Sequence, residues 1–131
     1  MAVLILHGKE AMQGRMRTIS HGFPAFAEAC AVAEMEIELE KEIRPRTPFL
    51  TGALRASERV EALPRTRNLV GARVFAGGPT APYAIIVHED LEAFHDDGEA
   101  KYIERPLMES APFMGARIGR RMWLSSGSRL I

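Results

Sequence analysis

Cysteine is almost missing from this chain. Cys30 stands alone, which excludes an internal disulfide and fits a reducing compartment. It lies among small apolar residues, where a buried structural thiol is expected rather than a nucleophile. Net charge is missing too. The 17 basic side chains balance 17 acidic ones, so no overall field draws the chain to nucleic acid or to a membrane. Long apolar runs are lacking: the opening run at 2–6 is far short of a signal-peptide core or a membrane span, and the expectation is a soluble chain that is intracellular when made. No glycine-rich phosphate loop precedes a helix, and no serine or cysteine sits in a nucleophile motif. Repeats and low-complexity segments are also absent.

What is present is an ordinary globular composition in 131 residues, 47% apolar and 26% charged, enough for one domain that buries about 65–70% of its unfolded surface. The charges fall in blocks. Glu34, Glu36, Glu38, Glu40 and Glu42 form one acidic block, and the region 89–99 forms another. Arginines at 44–73 lie between them, and a basic stretch follows with Arg117, Arg120, Arg121 and Arg129. Blocks of alternating sign suit a protein that docks on copies of itself or on complementary partners.

Read in order, residues 2–6 suggest a short strand and 9–19 a short amphipathic helix. Ser20 is an N-cap candidate for a long helix over 21–44, with Phe23, Phe26, Ala27, Cys30 and Ile37 on one side. Pro45 and Pro48 stop it. Residues 53–63 and 68–76 read as strands, and the loop at 77–82 leads to the run 83–87, a third strand or one turn of buried helix. A final helix is expected over 101–124, broken or offset near Pro106 and Pro112. The expectation is an α+β fold: a small antiparallel sheet of three to four strands packed against a long helix and a C-terminal helix. Residues 1–114 would form that domain, and 115–131 a helical tail whose Trp123, Leu124, Leu130 and Ile131 make a candidate docking segment.

His88-Glu89 and His95-Asp96 are the best candidates for a metal site or an acid–base pair, since they hold the ligand types of zinc or manganese. Their spacing fits no established ligand motif, and residues 96–99 lack the spacing of a calcium loop. The arginines at 44–73 could meet phosphates, but no DNA-reading motif accompanies them.

The order of several short motifs resembles a known family. Arg46-Thr47-Pro48 is followed by Thr51-Gly52-Ala53-Leu54-Arg55-Ala56-Ser57, then by Tyr83-Ala84 with His88-Glu89, then by Gly98-Glu99-Ala100-Lys101-Tyr102. This looks like the neck, or head–tail joining, proteins of tailed bacteriophages, most strongly over 45–107. The resemblance implies a structural virion subunit, made in the host bacterial cytoplasm, that forms a ring of six or twelve copies at the head–tail junction. It implies neighbouring connector and tail proteins as partners and a lumen through which DNA passes, with no enzymatic activity, no cofactor, no metal and no membrane. Thr51, Gly52, Leu54, Arg55, Tyr83, Ala84, His88, Glu89, Lys101 and Tyr102 match the family's motifs. His88-Glu89-Asp90-Leu91 departs from the more common Glu-Phe-Gly-Thr. Alternatives are a tail terminator or tail-completion protein, a capsid-associated subunit, and a small metal-dependent hydrolase using His88, Glu89, His95 and Asp96.

Overall fold

A computed structural model describes residues 9–49, 51–67, 69–92 and 97–126, and its side chains are described from Gln13 and then from His21 onward. Helix α1 spans Lys9–Glu38. Its Ala-, Glu- and Met-rich sequence favours helix strongly enough that Pro24 is carried inside it, at the loss of one backbone hydrogen bond. The expected break at Ser20 does not occur. A wide π-helical turn, Leu39–Ile43, and a 3-10 turn, Arg44–Arg46, continue the same rod. The expected stop comes after Arg46, where Thr47 takes up an extended conformation.

Helix α2 is a single turn, Ala53–Ser57. Strand β1, Arg59–Ala62, pairs antiparallel with β2, Ala72–Phe75. The expected strand at 53–63 is therefore half helix. Ser57 makes the change of direction, because its hydroxyl donates to the Leu54 carbonyl (2.6 Å) and accepts from the Gly77 amide (2.8 Å). Val60 faces Val74 across the ladder, and both pack on the core. The opposite face carries Arg59, Glu61, Arg73 and Phe75, with both guanidiniums over the Phe75 ring at 5.1 and 4.4 Å.

The run 83–87 is not a strand. Helix α3 spans Ala84–Glu89, after a turn in which Gly77 and Gly78 hold φ of 102° and 125°. Ala84 and Val87, three apart, point to the core, while Ile85 and Ile86 point out. A strand would have put Tyr83, Ile85 and Val87 on one side. Among the described residues the sheet thus has two strands, not three or four; the predicted strand at 2–6 lies outside them. Helix α4 spans Glu104–Ser126. It starts three residues later than expected because Lys101 sits at φ 58°, outside the right-handed region. Pro106 falls in its first turn, where a missing N–H leaves nothing unpaired. Pro112 is accommodated inside it, and α4 runs unbroken across 114–115.

The fold is therefore mixed, with four α-helices and a two-stranded antiparallel sheet among the described residues. Leu39, Ile43, Leu54, Ala81, Ala84 and Tyr102 form the buried core, where the end of the long rod, α2 and α3 converge. Both strands pack on α1, as does α4. The α1–α4 contact is ionic as well as apolar. Arg117 binds Glu38 (2.8 Å) and Glu34 (3.1 Å), Arg121 binds Glu34 (2.8 Å), and Ser110 hydrogen-bonds Glu38. On α1 the partners descend as those on α4 ascend, so the two helices run antiparallel. Arg65, in the hairpin loop, grips Glu28 of α1 through two nitrogens at 2.7 and 3.1 Å. No helix among the described residues is long and apolar enough to cross a membrane.

Candidate functional site

The motif residues singled out in the sequence meet around the core. Thr51 stays exposed, and its hydroxyl accepts from the Ala53 amide at 3.4 Å, opening α2. Gly52, at φ 82°, precedes that helix, and a Cβ there would touch the Phe49 ring at 3.1 Å. Leu54 is buried. Arg55 clamps two loops: its Nε donates to the Thr47 carbonyl (2.9 Å), one terminal nitrogen binds Asp97 (2.8 Å), and its plane lies over Phe49 at 5.0 Å.

The second and third motif blocks lock together directly. Tyr102, buried, donates its hydroxyl to the Ala84 carbonyl at 3.2 Å. Burial first, and then the nearby Glu58 carboxylate and Tyr83, push the Tyr102 phenol up to about 12. His88 meets Tyr102 edge-on, with centroids 5.0 Å apart. The Lys101 amide donates to the His88 carbonyl at 2.7 Å, which ties the αL turn before α4 to the end of α3. Tyr83 heads α3 and is partly exposed.

His88, Glu89 and Glu104 lie close enough to share a cation. That position already has one. The Lys101 ammonium binds Glu89 and Glu104, and these bonds raise its pKa. Lys101 and then His88 hold the Glu89 carboxyl below its ordinary value. His88 is engaged at both ring nitrogens: Nε2 accepts from the Glu104 amide (3.3 Å), and Nδ1 faces Glu89 (2.7 Å). An Nε2 that accepts leaves the proton on Nδ1, the tautomer that donates to Glu89. The group is chemically closed, a hydrogen-bonded latch between α3 and α4. His95 and Asp96 lie outside the described residues, as do Leu130 and Ile131.

Sequence reasoning missed a buried polar centre. Glu58 is 3% exposed, and it hydrogen-bonds Thr47, whose hydroxyl also reaches the Ile43 carbonyl at 3.1 Å. The Thr47 hydroxyl donates to the Glu58 carboxylate when Glu58 is ionised, and is freed to donate to the Ile43 carbonyl when Glu58 is protonated. Burial raises the Glu58 pKa, against the opposing pull of Thr47 and Arg44. Its Oε2 and the Arg44 Nε, 3.6 Å apart, make no hydrogen bond. The sequence signal was Thr47 at the helix stop followed by a lone glutamate before a strand, which single-sequence reading takes as surface.

The apolar surface also exceeds what the sequence suggested. Ile85 and Ile86 are 72% and 66% exposed, and Leu91 is exposed as well. On α4, Met108 (70%), Trp123 (76%), Phe113 and Leu124 are exposed. Trp123 and Leu124, the described part of the candidate tail segment, lie at the surface. No family model, no curated protein and no solved structure matches this chain.

Proposed function

We propose that the protein is a structural subunit of a tailed-bacteriophage neck, assembling into a ring at the head–tail junction around the path of the DNA. The observation that carries this reading is the exposure of large apolar side chains on two different elements, α3 and α4. Two unlike sticky surfaces on one chain favour head-to-tail contacts between copies, and such contacts either close into a ring or run on as a filament. The motif blocks support the same reading. Residues 83–89 and 98–102 lock together through Tyr102 and the Lys101 latch, and Arg55 of the first block reaches Asp97 just before the third. Their roles are buttressing and joining, and Lys101 already supplies the cation that the carboxylates of a hydrolytic metal site would bind. We assign the protein no reaction and no cofactor; its partners are further copies of itself and the connector and tail proteins on either side.

Electron microscopy and native mass spectrometry of the purified full chain test this directly. Closed rings of six or twelve copies, with a lumen wide enough for duplex DNA, are expected. A strictly monomeric protein, or stoichiometric zinc or manganese retained with histidine-dependent turnover, would remove the reading.

A further inference from the structure

The charges of the chain balance overall but not within the β1–β2 hairpin. Residues 59–75 hold four arginines, Arg59, Arg65, Arg67 and Arg73, and a single acid, Glu61. The fold sorts the arginines between 44 and 73 into two groups. Arg44 pairs with Glu40, Arg46 with Glu109, Arg55 with Asp97 and Arg65 with Glu28, so these four hold the subunit together. Arg59, Arg67 and Arg73 remain, all exposed and all in the hairpin, with Glu61 as the one carboxylate near them.

This face is prepared for an anion. Arg59 and Arg73 rest on the Phe75 ring at 5.1 and 4.4 Å from its centroid, which holds both side chains without using their N–H donors. Glu61 is taken up by Arg59, whose Nε binds it at 2.9 Å. Its other oxygen lies 3.7 Å from Arg73, beyond hydrogen-bond reach. Arg67 and Arg73 therefore donate to no acceptor among the described residues. Leu69, in the loop, is the one large apolar side chain exposed in this segment. A face with unfilled guanidinium donors and so little apolar surface suits phosphate, whereas the centre of a joint between proteins is apolar and poor in charge.

From this we infer that the outward face of the hairpin is turned to the DNA path, where Arg67 and Arg73, with Arg59 beside them, meet the phosphates of the duplex backbone. The inference rests on the ring reading above and specifies the surface that lines its lumen. Such contacts carry no sequence preference, because phosphates are alike along the duplex and no DNA-reading element accompanies the arginines. One copy supplies about three phosphate contacts, a weak and salt-sensitive grip that lets the duplex slide, and a ring repeats that grip around it.

The test uses full-length chains, with circular dichroism to establish folding, native mass spectrometry to follow assembly, and fluorescence anisotropy of a random-sequence DNA duplex to follow binding. Arg67→Glu and Arg73→Glu change exposed side chains that make no hydrogen bond within the subunit. Arg120→Glu makes the same change of charge on α4, where the arginine also has no ion pair among the described residues. Wild-type rings should bind the duplex, more weakly as salt rises. Each hairpin variant should still assemble but bind about tenfold more weakly or worse, with a shallower salt dependence, while Arg120→Glu binds like the wild type. Rings that bind no duplex, or hairpin variants that bind no more weakly than Arg120→Glu, overturn the inference and leave the ring intact. Hairpin variants that fold but fail to assemble place this face in a joint between copies and overturn it too. A monomeric wild-type chain overturns the ring reading itself.

Discussion

Gly98 stands where two loops press together. At φ 92° it adopts a conformation that L side chains avoid, and a Cβ would lie 2.5 Å from the Pro48 nitrogen and 2.7 Å from the Arg46 carbonyl oxygen. Those atoms are backbone and cannot swing aside. Gly98→Ala is expected to destabilise the protein by at least about 2 kcal/mol, combining left-handed strain with a clash that also disturbs the bond from the Glu99 amide to Arg46. Urea denaturation of the two proteins measures it. Glu58 yields a second expectation. Its pKa is raised by burial, so its contribution to stability is complete below the ordinary value of 4.5 and is lost as pH rises through the folded-state value. Gln at 58 keeps the hydrogen bond to Thr47 without an ionisable proton. The stability of Glu58→Gln relative to wild type should therefore grow from pH 4.5 towards neutrality; a difference that stays flat with pH would contradict the protonated Thr47–Glu58 pair. Neither position was legible in the sequence. Gly98 reads there as an ordinary turn glycine after two aspartates, and nothing in the chain's order reveals that residues 46–48 lie against it.

At the scale of elements, the seam between α1 and α4 is held by a few ionic contacts around buried acids. Glu38 is nearly fully buried, and Arg117 supplies its charged partner while Ser110 supplies a hydrogen bond. Arg117→Ala leaves a buried carboxylate with one weak partner. Because the arginine itself is about one-third exposed, a loss of about 2 kcal/mol is expected rather than the full penalty of a buried pair. Glu34 behaves in the sense opposite to Glu58. Burial opposes its ionisation, but Arg121 and Arg117 outweigh that and hold its pKa below 4.5. Its contribution is present above that value and is lost as pH falls through the lower folded-state pKa, so the seam loosens in acid. Hydrogen exchange of α4 amides as a function of pH follows the effect, and protection that persists unchanged in strong acid would refute it. The elements themselves were partly readable. The long helix and its proline stop follow from composition, and the hairpin follows from β-branched residues around a turn. Residues 83–87 were left between strand and helix because an unbroken apolar run has no period from which to choose. The helix puts Ala84 in the core with Tyr102 and Leu54, and the Tyr102 hydroxyl binds the Ala84 carbonyl.

Over the whole molecule, the charge blocks visible in the sequence separate into two functions. Glu34 and Glu38 pair with Arg117 and Arg121 across the α1–α4 seam, while Glu40 and Glu42 pair along the rod with Arg44 and Arg46. Glu36, Lys41, Glu92 and Arg120 stay at the surface without an ion pair among the described residues. From sequence, segregated charge pointed to contact between copies; the fold divides it into an internal seam and a small external residue beside apolar faces. How those faces are arranged was not readable, because exposure of Ile85 and Ile86 depends on which side of a six-residue helix meets Tyr102.

The wide turn at Leu39–Ile43 separates these regions. Upstream of it the rod carries the acids that face α4; the turn itself places Leu39 and Ile43 in the core, and Thr47, just past the rod, serves the Glu58 pair. The turn acts as a phase adjuster between two halves that an uninterrupted α-helix would hold at a different angle. Removing one exposed residue from it, such as Lys41, should restore the ordinary pitch and rotate everything beyond. The hairpin, α2 and α3 would then lose their seat, while the two long helices stay paired. Nuclear magnetic resonance of such a shortened chain should show a folded helical hairpin beside a melted remainder, whereas uniform collapse would mean that the two halves stand or fall together.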